Sequence, residues 1–77
     1  MNISLSSLRE GERATIKAFA LEGDIYRRLT DLGLILGTET ECLHKSPFGD
    51  PVAYLIRGAV IAIRNEDAEK ILVLLKE

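Results

Sequence analysis

Cys42 and His44 are the side chains nearest to chemistry in this 77-residue chain, and they stand two positions apart. They fall in a stretch that reads as a strand, where period two puts both on one face. A thiol and an imidazole so placed could be two ligands of a soft metal, or a nucleophile beside its base. A structural metal site wants about four protein ligands and a catalytic one about three. A nucleophile–base pair wants a third group to orient it. The chain has one Cys and one His, and no carboxylate sits at a recognisable ligand spacing around them. A buried thiol beside a rim histidine accounts for the pair, so the expectation is no catalytic residue, no metal ligand and no cofactor.

Three other constellations carry charge or exposed apolar surface. Asn65-Glu66-Asp67 has the oxygens for a hard cation, but a helix cap followed by first-turn acids explains all three residues. Arg27-Arg28 can hold a phosphate, can lie as a solvated helix face paired to Asp24 and Asp31, or can meet a partner protein, since arginine is enriched at interfaces. Leu34-Ile35-Leu36 sits between Gly33 and Gly37. A connector that short is not expected to bury three bulky aliphatics, so one or two plug the core and at least one faces water. Phe48 raises the same question at the tip of Ser46-Pro47-Phe48-Gly49-Asp50-Pro51. A contiguous apolar patch, unlike a scattered one, signals binding. The candidate partner-binding residues are therefore Arg27, Arg28, Leu34, Ile35, Leu36 and Phe48.

The elements that must carry these residues are short. Residues 13–20 alternate, with Ala14, Ile16, Ala18 and Ala20 on one face and Arg13, Thr15 and Lys17 on the other, which predicts a half-buried strand. Phe19 breaks the alternation and marks either a bulge or an exposed aromatic. Ile25, Leu29 and Leu32, at i, i+4 and i+7, predict a helix over 24–32 that opens on Asp24, pairs Asp24 with Arg28 and ends at Gly33. Leu29 and Leu32 are its expected core residues. Strands follow over 38–45, 52–57, 59–63 and 71–75, with a tight hairpin at Arg57-Gly58 and one helical turn capped by Asn65.

Strands that are apolar on both alternate rows, in so small a chain, suggest a sheet curled onto itself. The expected fold is mainly β: a small SH3-like barrel of about five strands with one short α-helix after the first strand. Closure would remove exposed strand edges. The whole chain, 1–77, reads as one such domain.

Composition narrows the function classes. A hydrophobic content of 47% excludes a disordered chain. A single cysteine excludes a disulfide-stapled scaffold. Net charge −2 and four aromatics leave neither a basic patch nor stacking platforms for nucleic acid. No targeting segment is visible at the N-terminus. No apolar run exceeds the five residues found at 71–75, far short of the roughly 20 that span a bilayer. The expectation is a soluble cytoplasmic monomer that serves any membrane process by docking on another protein.

The order of these pieces resembles the FeoA family. Leu5-x-x-Leu8-x-x-Gly11-x-x-Ala14-x-Ile16 is similar to its opening. Arg27-Arg28-Leu29-x-Asp31-Leu32-Gly33-Leu34 with Gly37-Thr38 is similar to its central signature. Pro47 to Pro51 resembles its loop, and Gly58-x-x-Ile61-Ala62-Ile63-Arg64 with Asp67-Ala68 resembles its closing strands. Leu36 stands where the family often has proline, Thr40 and Cys42 where valine is common, and Phe48 where an aliphatic is usual. The resemblance implies a small cytosolic accessory of FeoB, the membrane GTPase that carries ferrous iron, with no catalytic residues and no well-defined metal ligands. Two rivals remain. One is the SH3-like domain of a metal-dependent transcriptional regulator, which follows a helix-turn-helix and a dimerisation module that 77 residues cannot hold. The other is a small-barrel nucleic-acid binder.

Overall fold

The computed structural model describes residues 2–76. The strands are β1 (Asn2–Ser4), β2 (Arg13–Phe19), β3 (Glu39–Lys45), β4 (Val52–Ile56), β5 (Ala59–Ile63) and β6 (Ile71–Leu75). Helix α1 (Gly23–Asp31) follows β2, and the single turn α2 (Asn65–Ala68) precedes β6. The count is six strands rather than about five. The extra one, β1, is three residues long and pairs Asn2 with Leu74, Ile3 with Val73 and Ser4 with Leu72. So short a segment has no readable period; its pairing to β6 makes it a strand.

All ladders are antiparallel, and the order is β1-β6-β2-β3-β4-β5. The sheet curls around one core in which Leu5, Leu8, Ile16, Leu34, Tyr54, Ile56, Ile71 and Val73 are fully enclosed. Among the described residues no ladder joins β5 to β1, so the expected removal of edges is incomplete. Beside β5 a groove separates the sheet edge from the side chains of α1.

Two bulges re-aim the rows that strict alternation predicts. In β2, Ile16 pairs with Val73 and Ala18 with Leu72, which leaves Lys17 as the extra residue. Beyond it the faces exchange, and Phe19 pairs with buried Ile71 and packs against the core. Phe19 therefore marks a bulge, and Ala20 is exposed. Its ring meets Tyr26 of α1 edge-on, with centroids 5.4 Å apart at 81°.

Helix α1 ends in a left-handed turn. Gly33 has φ +105°, its N–H donates to Thr30 O at 3.0 Å, and the Leu34 N–H donates to Leu29 O at 2.9 Å. These two bonds are the Schellman arrangement, with the expected apolar contact between Leu34 and Leu29. A Cβ at Gly33 would lie 2.8 Å from Cδ of Arg57, so the glycine also lets the β4–β5 hairpin approach the helix end. The hairpin turn has φ +50° at Arg57 and +83° at Gly58, the pairing a two-residue primed turn requires.

One expected core residue is displaced. Leu29 is buried, but Leu32 is 45% exposed. The Schellman turn folds Leu34 back beneath the helix, and Leu34 fills the space that the stripe assigned to Leu32.

Candidate functional site

The Cys42–His44 pair is separated by the second bulge. Cys42 pairs with Tyr54 but His44 with Ala53, so Leu43 is the extra residue and the two side chains face opposite sides of β3. Cys42 is buried among core residues. His44 is exposed, with Nδ1 3.4 Å from Oε2 of Glu10, the same oxygen that accepts the Lys45 N–H at 2.8 Å. The shared face expected from period two does not form. Among the described residues no group of three or more His, Cys, Asp or Glu is placed to hold a metal ion.

Burial pushes the Cys42 thiol above its ordinary value of 9.0 and the Tyr54 phenol above its ordinary value of 10.0. The Tyr54 hydroxyl donates to Leu5 O at 3.3 Å, an arrangement that needs the protonated form. The folded state holds both protons more tightly than the unfolded chain, so stability is full below the unfolded values and falls as pH rises past them. Thermal melts should be flat from pH 6 to 8 and fall above about pH 9 to 10, with a shallower fall in Tyr54→Phe. An unchanged alkaline limb in Tyr54→Phe would count against this assignment.

Asn65 does not cap α2. It is the first helical residue, and Arg64 occupies the cap position without a side-chain bond. Asn65 instead braces the loop that carries Phe48: its Nδ2 donates to Gly49 O at 2.7 Å, and its N–H donates to Oδ1 of Asp50 at 2.9 Å. Asp50 thus supplies from a distance the acceptor that the helix start needs. The Ser46–Gly49 turn, closed by a 2.7 Å bond, presents Phe48 at 96% exposure.

The candidate docking residues fall into groups. Arg27 faces solvent and pairs with Asp24 at 3.8 Å, where the sequence pattern paired Asp24 with Arg28. Arg28 instead lies along a groove of about 370 Å³ between α1 and β5, with Ile25, Leu29 and Leu32 on the helix side and Ile61 on the strand side. Ile35 and Leu36 project beyond the helix end, Leu36 at 62% exposure. Leu34 is withdrawn from the set, because it is fully enclosed and belongs to the core. Phe48 stands on a separate loop, braced against α2, whose Glu66 and Asp67 line the far end of the same groove. Sequence reasoning missed Leu32 and the exposed face of β5. The signal for the second was the uncharged run Ala59-Val60-Ile61-Ala62-Ile63.

The six-stranded curled sheet with one short helix is a small SH3-like barrel, and that is the class of domain the fold defines. The chain belongs to the FeoA family, since the FeoA domain model matches residues 3–75. A relative from Porphyromonas gingivalis, a Fe(2+) transport protein A/Fe(2+) transporter FeoB fusion protein, is 34% identical over 67 residues. That match takes in 87% of this chain and only 8% of the fusion protein. The FeoA protein of Chlorobium tepidum superposes with a TM-score of 0.93 at 36% identity, over 97% of this chain and 71% of that one. The zinc complex of Stenotrophomonas maltophilia FeoA, described as a prokaryotic SH3 domain protein, gives 0.79 at 28% identity, over 92% and 88%. The barrel also recurs within a manganese-dependent transcriptional repressor, at 18% identity and a TM-score of 0.86 over 97% of this chain and 42% of that one; there the likeness is of fold alone. No helix among the described residues is long and apolar enough to cross a membrane.

Proposed function

We propose that this chain is a non-enzymatic accessory of ferrous iron uptake that docks, as a cytoplasmic monomer, on the cytosolic part of a FeoB-type GTPase transporter. The observation that carries the reading is the Porphyromonas gingivalis relative, in which a homologous domain and a FeoB transporter share one polypeptide. Fusion holds two domains at high effective concentration, which is useful where they work in contact. The chemistry of the surface supports the same reading. Arg28 lines the groove with Leu32, and Ile35 and Leu36 are exposed in the connector at the helix end; apolar anchors beside arginine are typical of residues that dominate binding.

The test is a pull-down with the soluble GTPase domain of the cognate transporter. Arg27→Glu, Arg28→Glu, Ile35→Ser and Phe48→Ser remove exposed groups, so each should melt within a few degrees of wild type. Arg28→Glu and Ile35→Ser should weaken capture by about tenfold, a loss of about 1.4 kcal/mol. If every variant is folded and captured like wild type, neither this face nor the Phe48 loop is the interface.

A further inference from the structure

β5 ends the sheet on one side, and its turn dictates which of its backbone groups are free. In a two-residue hairpin the residues flanking the turn form a hydrogen-bonded pair, and bonded and non-bonded pairs alternate from there. Ile56 faces Ala59, Tyr54 faces Ile61 and Val52 faces Ile63, so these pairs exchange the ladder bonds. The N–H and C=O groups of Val60 and Ala62 therefore point away from β4. Among the described residues neither makes another hydrogen bond.

Proteins usually protect such an edge with charge, proline, a bulge or extreme shortness. β5 has none of the first three: its five residues are uncharged, contain no proline and hold an even register. Val60 is 66% exposed. Along the second half of this strand, Ile61 to Ile63, runs the groove walled on its other side by Ile25, Leu29 and Leu32. Two arginines, Arg28 and Arg64, and two acids, Glu66 and Asp67, line it. Arg64 lies 3.8 Å from Glu66, whereas Arg28 has no carboxylate within 4 Å among the described residues.

We propose that β5 accepts an extended segment of the partner protein as a seventh strand. The segment pairs its backbone with Val60 and Ala62, sets aliphatic side chains at alternate positions against Ile25, Leu29 and Leu32, and brings a carboxylate to Arg28. The inference rests on the docking reading above and states how the transporter's cytosolic part is held. A second copy of β5 is a poorer occupant, because it carries no acid for Arg28 and is flanked by Arg57 and Arg64.

The test removes the outward N–H groups without touching the β4 ladder. A proline whose missing N–H would face solvent is tolerated on an edge strand, so Val60→Pro and Ala62→Pro should keep the wild-type melt. Each should bind the soluble GTPase domain about tenfold more weakly, the loss expected when a partner's acceptor is left unpaired. Val60→Thr and Ala62→Ser keep the N–H and should bind within threefold of wild type, roughly the scatter of a surface change. In wild type, the Val60 and Ala62 amides should exchange rapidly when free and become protected in the complex. Folded proline variants that bind like wild type, with both amides unprotected, overturn strand addition and leave docking standing. Failure of wild type to bind the domain at all overturns both. Self-association at high concentration that the proline variants abolish assigns the edge to a second copy, which also overturns the proposal. Should the proline variants unfold, amide protection in the wild-type complex decides.

Discussion

Leu34→Ala should destabilise the domain by about 2–5 kcal/mol, the range for truncating a fully enclosed leucine. Leu34 has no exposed surface and sits under Leu29, locked there by the bond from its own N–H to Leu29 O. A domain of this size has about 5–15 kcal/mol in total, so one substitution removes a large fraction of it. The melting temperature should fall by at least about 8 °C, since ~1 kcal/mol shifts a domain of this length by ~4–8 °C. Leu36→Ala, two residues on, removes a side chain already in water and should stay within ~0.5 kcal/mol of wild type. Thermal and urea melts followed by circular dichroism distinguish the two. A Leu34→Ala variant as stable as wild type would mean that the connector is turned the other way up.

Native Cys42 should react with a disulfide reagent at least ~10³-fold more slowly than the same thiol in the unfolded chain, the low end of the unfolding equilibrium constants of small domains. The reaction needs a thiolate and an approach path. Cys42 has no exposed surface, and burial raises its pKa. It lies mid-sheet between β2 and β4, where an opening that frees the thiol must break both ladders. Labelling should therefore accelerate with urea along the same slope as global unfolding. Native labelling within tenfold of the unfolded rate would show a local opening that frees Cys42 without global unfolding.

Much of the fold was legible because the signals were local. Gly33 after an apolar stripe announced the helix end, and Arg57-Gly58 between two apolar runs announced the hairpin; both depend on backbone preferences within a few residues. The alternating strands were legible up to their bulges and misleading past them. Lys17 and Leu43 look like ordinary members of alternating rows, and what makes them extra is the spacing of partner residues on β6 and β4. This is why Cys42 and His44 share a face on paper and not in the molecule.

The candidate site divides in the same way. Local pattern was enough to place exposed apolar surface in the connector, because three aliphatics between two glycines outnumber the space a short turn can bury; at Phe48 it only raised the question. It could not choose among the three aliphatics. Leu34, Ile35 and Leu36 are near-equivalent in hydrophobicity, and the register of the Schellman turn sends the first inward. The same turn displaces Leu32 from the core into the groove. The free edge of β5 is further still from local signals, since an edge is defined by the strand that does not pair with it. Where helix, hairpin and turns fall is written in the conformational limits of single residues. Which of several equally apolar residues are buried, and which strand is left open, depends on partners distant in the chain and emerges only when the sheet assembles.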